Sequence, residues 1–179
     1  MDHTDHVNLL KPARLSPGGA WADLGAGSGA FTLALRELIG PEGTIHAVDR
    51  DHAALKELEQ AYRLRFGGLE NLQLLTGDFS RRMKVPPLDG LLMANSLHFF
   101  KDKEKILRHV RTLLKPDGTL LLVEYNVDSG NPWVPHPLSF ETWRGLAVRA
   151  GFSEPRLLAK APSRFLKEIY SSVAYKEEH

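Results

Sequence analysis

The sequence predicts an α/β fold, a mostly parallel sheet with helices on both faces, and three observations predict it. Short apolar runs of β type alternate with stretches of helical spacing along the 179 residues, which is the pattern of βαβ units. The first of these runs opens directly into Gly25-Ala26-Gly27-Ser28-Gly29 and then a helix. Near the other end, two strand-like runs follow one another with no helix between them, so they must pair antiparallel. A chain of this length holds one well-filled core, since domains run to about 100 to 200 residues. Residues 1–179 are therefore read as a single domain, with an N-terminal segment at 1–17.

The first strand is Ala20-Trp21-Ala22-Asp23-Leu24, and after the glycine turn a helix places Phe31, Ala34, Leu35 and Leu38 on one face until Gly40-Pro41 stops it. Thr44-Ile45-His46-Ala47-Val48 forms the second strand and ends at Asp49. Asp51 then caps a helix carrying Leu55, Leu58 and Tyr62, which runs to Gly67-Gly68. The third strand, Leu72-Gln73-Leu74-Leu75, leads into Thr76-Gly77-Asp78-Phe79. Asp89-Gly90-Leu91-Leu92-Met93-Ala94 is a fourth strand, buried on both faces because its apolar residues do not alternate with polar ones.

Ile106, Leu107, Val110, Leu113 and Leu114 then make a helical stripe, and Lys115-Pro116-Asp117-Gly118 turns the chain into a fifth strand at 119–124. The stretch 125–137 holds Pro132, Pro135 and Pro137 and is long enough to be read as a lid loop. Ser139 caps a helix with Trp143, Leu146, Ala147 and Ala150, closed by Gly151. Residues 156–160 and 165–175 are the final strands, with a turn at Ala161-Pro162-Ser163.

Composition removes several functional classes. With 23 Lys plus Arg against 22 Asp plus Glu there is no global field to hold a polyanion, so dedicated nucleic-acid binding is not expected. No cysteine is present, which excludes disulfides, thiolate zinc sites and cysteine nucleophiles. No run approaches the ~18 apolar residues of a membrane span. The start, Met1-Asp2-His3-Thr4-Asp5-His6, lacks the regions of a signal peptide, so a cytoplasmic location is expected. Asp2-His3-x-x-His6 carries ligand-type side chains, but a short polar terminus is expected to be exposed or frayed, and no metal is expected.

A strand, a Gly-x-Gly-x-Gly turn and a helix let the backbone approach a ligand and aim unpaired helix N–H groups at it. Asp49, at the end of the next strand, suits the two hydroxyls of a ribose. Together these specify a nucleoside-containing cofactor without saying which, because Gly25-Ala26-Gly27-Ser28-Gly29-Ala30 also satisfies the looser dinucleotide fingerprint. Asp78-Phe79 could bond an adenine amino group and pack on its ring, and the terminal antiparallel pair is foreign to a dinucleotide fold.

The segments Ala22-Asp23-Leu24-Gly25-Ala26-Gly27-Ser28-Gly29, Val48-Asp49, Gly77-Asp78-Phe79, Ala94-Asn95-Ser96-Leu97-His98 and Leu114-Lys115-Pro116-Asp117-Gly118 occur in that order. In this the chain resembles the class I S-adenosylmethionine-dependent methyltransferases over residues 18–175, and most of all the small-molecule branch that includes the quinone-biosynthesis enzymes. The resemblance implies a Rossmann-like sheet of seven strands, six parallel and the last antiparallel. It implies that Gly25, Ala26, Gly27 and Gly29 form the turn under the methionine part, that Asp49 with neighbouring Arg50 binds at the ribose, and that Asp78 and Phe79 hold the adenine. It further implies that Asn95 offers its carbonyl to the methionine ammonium, that Ser96 and His98 face the transfer centre, and that Asp23 orients the glycine loop or the ammonium. Each role has a structural competitor: Asp49 as a helix cap, Asp78 as a turn aspartate, Phe79 as core, His98 as a satisfied buried histidine.

A methyl group on a sulfonium is already activated, so in-line displacement needs chiefly alignment and exclusion of water. For a phenol or enol acceptor a general base helps; His98 is the best-placed candidate and His136 the second. Enzymes that methylate base amino groups resemble one another in an Asn-Pro-Pro-aromatic segment where this chain has Asn95-Ser96-Leu97-His98, which argues against such acceptors. Trp133, Phe99 and Phe100 suggest a small apolar or aromatic acceptor. Two rival readings stay open: an NAD-linked oxidoreductase, disfavoured because no Tyr-x-x-x-Lys pair is present, and a cofactor-binding protein that is non-catalytic or acts only with a partner.

Overall fold

The strands at the centre of this chain are apolar on both sides, so the fold must cover two faces of one sheet. The computed structural model describes residues 1–178. β1 (Ala20–Leu24), β2 (Thr44–Asp49), β3 (Leu72–Thr76), β4 (Leu88–Ala94), β5 (Leu114–Tyr125), β6 (Arg156–Pro162) and β7 (Glu168–Tyr175) form a seven-stranded sheet in the order β3-β2-β1-β4-β5-β7-β6. The pairs from β3 through β5 are parallel, and β7 is antiparallel to both β5 and β6. This is the α/β class expected, with the antiparallel strand where it was expected.

Leu92 and Ala94 of β4 and Leu121 and Val123 of β5 face one side. That side is covered by α1 (His3–Leu10), α2 (Ala30–Ile39) and α3 (His52–Phe66), through Leu9, Leu10, Phe31, Leu35, Leu55 and Leu58. The intervening residues Leu91, Met93, Leu120 and Leu122 face the other side, under α4 (Lys103–Arg111) and α5 (Phe140–Arg149) with Ile106, Leu107, Val110, Trp143 and Leu146. Two large buried side chains find polar partners within these layers: the Trp143 indole donates to Ser172 Oγ at 2.9 Å and the Tyr170 hydroxyl to the Leu138 carbonyl at 3.1 Å. Asp51 caps α3 by accepting from the Ala53 and Ala54 amides, and Ser139 caps α5 through the Thr142 amide. Among the described residues no helix is long and apolar enough to cross a membrane.

The structure differs from expectation at three places. The N-terminal residues are not frayed: Asp2 and Asp5 cap α1 reciprocally, each side chain accepting the other's amide at 2.9 Å, and Leu9 and Leu10 are buried. His3 pairs with Glu37 at 2.6 Å and the His6 ring lies 4.7 Å from Phe31, so different partners hold the two imidazoles. Secondly, α4 ends at Arg111, and Leu114 already pairs with Leu88 at the start of β5. Lys115 to Gly118 then bulge out before Thr119 pairs with Gly90, because Pro116 has no ladder N–H and Asp117 is left-handed at φ 58°. Thirdly, the last turn lies at 163–167 rather than 161–163; β6 is an edge strand, which accommodates Pro162, and Lys167 at φ 58° reverses the chain.

The central seam is tightly filled at Gly90, where a Cβ would lie 2.2 Å from the Trp21 ring. We expect Gly90→Ala to destabilise the fold by about 1–3 kcal/mol, the usual cost of overpacking, measured by urea denaturation.

Candidate functional site

β1 has β2 on one side and β4 on the other, so the chain's crossovers leave it in opposite directions and a crevice opens beyond the carboxyl ends of β1 and β4. A cavity of about 200 Å³ lies there, lined by Gly25, Asp49, Arg50, Gly77, Phe79, Asn95, Ser96, Phe99 and Phe100. Its floor is the glycine turn. Gly25 is left-handed at φ 84°, and a Cβ on it would lie 2.5 Å from Ser96 Cβ. The Gly25 and Ala26 amides both donate to the Val48 carbonyl, at 2.8 and 3.0 Å, and the Ser96 hydroxyl donates to the Leu24 carbonyl at 2.6 Å. Gly29 begins α2 without a side-chain cap, and a Cβ there would meet Leu58 Cδ1 at 2.1 Å.

Asp49 ties this turn to β2. Its Oδ2 accepts from the Gly27 amide and its Oδ1 from the Asp51 amide, both at 2.8 Å, which leaves each oxygen one further lone pair. Asp23 is buried on β1, where the Thr32 hydroxyl donates to Oδ2 at 2.6 Å while Oδ1 has no partner. Burial pushes this carboxyl up to about 7, with the Asp49 charge adding to the rise and the Thr32 bond opposing it. Asn95 is left-handed at φ 54°, and its Oδ1 is also buried without a partner.

Asp78 is engaged by protein groups. Its Oδ1 accepts from the Ser80 amide and hydroxyl at 2.9 and 2.6 Å, and its Oδ2 from Arg50 at 2.5 Å. Burial acts to raise its pKa, but the Ser80 bonds and Arg50 outweigh it and hold the carboxyl below the ordinary range. The Arg50–Asp78 pair therefore joins the ends of β2 and β3 beside the cavity.

Of the residues read from the sequence, Gly25, Asp49, Arg50, Phe79, Asn95 and Ser96 line this one cavity, while Asp23, Ala26, Gly27, Gly29 and Asp78 lie around it without lining it. His98 lies on a 3₁₀ turn, Leu97–Phe99, and is only 3% exposed. Its Nδ1 is 2.8 Å from Oε2 of the fully buried Glu124, whose Oε1 accepts the His98 amide at 3.0 Å. A carboxylate only accepts, so Nδ1 carries a proton, and in the neutral imidazole Nε2 is then the atom with the lone pair. Among the described residues Nε2 has no hydrogen-bond partner, and it is not among the polar atoms sealed from solvent. His136 is half-buried and reaches His98 through its backbone, its amide donating to the His98 carbonyl at 3.0 Å.

The loop around His136 is anchored. Val134 and Leu138 are buried, Asp128 accepts from the Ser139 amide and hydroxyl, and Asn126 accepts from the Phe140 amide. Trp133 at its tip is 71% exposed. Glu124 was read only as the end of a strand. Its signal was available all the same: a carboxylate after Leu120-Leu121-Leu122-Val123, in a strand covered on both faces, requires a donor partner.

A family model described as a methyltransferase domain matches residues 22–120. The chain is 32% identical over 167 residues to acetylserotonin O-methyltransferase of Mus musculus, covering 83% of this chain and 43% of that protein. It is 30% identical over 118 residues to a ubiquinone/menaquinone biosynthesis C-methyltransferase of Ectopseudomonas mendocina, covering 65% and 45% respectively. The fold matches that of human N-acetylserotonin methyltransferase, solved in complex with S-adenosylmethionine, with a TM-score of 0.72 at 21% identity over 97% of this chain and 52% of that one. The chain thus spans less than half the length of these two curated relatives.

The raised pKa of Asp23 has a consequence for stability. The fold favours its protonated form, so that contribution is complete below the unfolded value of 3.8 and is lost as pH rises through about 7. Compared with Asp23→Asn, the unliganded wild type should lose stability progressively over this window, as read from urea denaturation at a series of pH values; a constant difference between pH 4 and 8 would contradict the assignment.

Proposed function

The chain belongs to the class I S-adenosylmethionine-dependent methyltransferases, the family whose methyltransferase-domain model matches residues 22–120, and on that premise we propose that it methylates a hydroxyl group of a small apolar or aromatic acceptor. The observation that carries the proposal is the convergence of Gly25, Asp49, Phe79 and Asn95 on one cavity at the point where the sheet order reverses.

The residues fit this cofactor. Gly25 puts bare backbone at the cavity wall between Ser96 and Phe79, and the two spare lone pairs of Asp49 match the two hydroxyls of a ribose. Asp23, with a partnerless buried oxygen, suits a cationic ammonium, and Asn95 lies beside the same turn at the end of β4. Gly27 and Gly29 shape the turn, and Ala26 continues it into α2, whose first amides have no side-chain cap. Phe79 offers its ring to the adenine, with Arg50 at the rim and Asp78 accepting through the one lone pair left on Oδ2.

S-adenosylmethionine supplies a methyl group on a sulfonium, which an acceptor oxygen displaces in line to leave S-adenosylhomocysteine and one proton. His98 takes that proton at Nε2, and Glu124 holds Nδ1–H, fixing the tautomer and stabilising the imidazolium that results. His136 braces this arrangement through the His98 carbonyl. Ser96 closes the cavity floor.

Two variants test the map. Asp49→Ala should weaken S-adenosylhomocysteine binding by roughly 10- to 100-fold, the loss of charge-assisted hydrogen bonds, with the fold intact by circular dichroism. His98→Ala should leave that affinity within about twofold while lowering turnover on a hydroxylated acceptor by about 10²- to 10⁴-fold. Wild-type cofactor affinity in Asp49→Ala would remove the ribose role, and wild-type turnover in His98→Ala would remove the base.

A further inference from the structure

We infer that the acceptor is a planar aromatic hydroxyl compound held against a row of three rings, Phe99, Tyr125 and Phe165, which begins at the cavity and ends on the β6–β7 hairpin; this rests on the methyl-transfer reading above. The topology brings these residues together. Tyr125 ends β5 at the carboxyl edge of the parallel strands, beside the turn that follows β4. Because β7 is antiparallel to β5, it begins at that same edge, where Tyr125 pairs with Ile169, and the hairpin turn carrying Phe165 is delivered there.

The rings form a connected series. Phe99 lines the cavity and lies 4.4 Å from the His98 ring, the His98 ring lies 5.9 Å from Tyr125, and Tyr125 lies 5.9 Å from Phe165 at an interplanar angle of 33°. These are spacings at which aromatic rings attract one another, and a further planar ring can join them. Phe99 is nonetheless 60% exposed and Phe165 51% exposed. One exposed phenylalanine needs no explanation, but two of them, one lining the cavity and both linked through the His98 and Tyr125 rings, make a surface prepared for a ligand.

The chemistry of the row names the ligand class. Between Phe99 and Tyr125 the hydrogen-bonding ring is that of His98, with Nε2 unpartnered. An apolar wall interrupted by one acceptor atom matches an aromatic ring that carries a hydroxyl. The Tyr125 hydroxyl also has no partner among the described residues, and burial, aided by the Glu124 charge, pushes its pKa up, so it is a neutral donor for a second polar substituent. Trp133, which sequence reading grouped with Phe99, makes no ring contact with this row among the described residues.

The test is a calorimetric titration of protein saturated with S-adenosylhomocysteine, using 2-naphthol as the aromatic probe and cyclohexanol as the aliphatic one. The wild type should bind 2-naphthol at least about tenfold more tightly than cyclohexanol. Phe165→Ala, a change on an exposed hairpin, should weaken 2-naphthol about two- to tenfold while leaving S-adenosylhomocysteine affinity unchanged, and Phe99→Ala should weaken 2-naphthol similarly. Equal binding of the two probes, or no effect of Phe165→Ala, would overturn the inference and leave the cofactor reading standing. A shift in oligomeric state on Phe165→Ala would assign the row to contact with a second copy and overturn it as well. Failure of the wild type to bind S-adenosylhomocysteine would overturn the cofactor reading, and this inference with it.

Discussion

The carboxyl edge of this sheet depends on one missing side chain. At Gly25 the strand β1 ends within 2.5 Å, counted from an imagined Cβ, of the Ser96 side chain that follows β4. That closeness lets the Ser96 hydroxyl reach the Leu24 carbonyl, and the left-handed turn at Gly25 lets two successive amides share the Val48 carbonyl. The Gly27 amide is then presented to Asp49. A side chain at Gly25 would part the central seam and fill the cavity together, so the packing of the fold and the shape of the site have a common origin.

Two buried carboxylates show how differently such groups can be treated in one sheet. Glu124 receives two donors, both from His98, and serves as the fixed support of an imidazole whose other nitrogen is free. Asp23 receives one, from Thr32, and keeps a buried oxygen without a partner. An unsatisfied buried acceptor is a cost that packing does not repay. Its position beside the glycine turn gives that cost a use, since a cationic ligand group would complete the missing contact. Buried ionic groups are weak evidence for stability, and here both lie at the carboxyl-terminal edge of the sheet.

Local chemistry made most of the fold legible. The span of β1 follows from one apolar run, α3 from Asp51 at its start and Gly67 at its end, and α5 from Ser139 and Gly151. What stayed hidden depended on contacts distant in sequence. α1 is short and mostly polar, and it is stabilised by burying Leu9 and Leu10 and by the bond from Ser171 on β7 to the Leu9 carbonyl. Asp78 was legible as a turn aspartate, but its bond to Arg50 spans two strand ends. The grouping of Phe99, Tyr125 and Phe165 could not be read from spacing, because it depends on the reversed direction of β7.

The cavity at the reversal of strand order is the centre of this account, and a glycine turn followed by an acidic residue would serve a nicotinamide dinucleotide as well as an adenosyl sulfonium. Calorimetric titration of the purified chain with S-adenosylhomocysteine and NAD in parallel separates the two. Saturable binding of S-adenosylhomocysteine, at one per chain and with no heat from NAD, is the result expected. Binding of NAD in the absence of S-adenosylhomocysteine binding would contradict the assignment of this site.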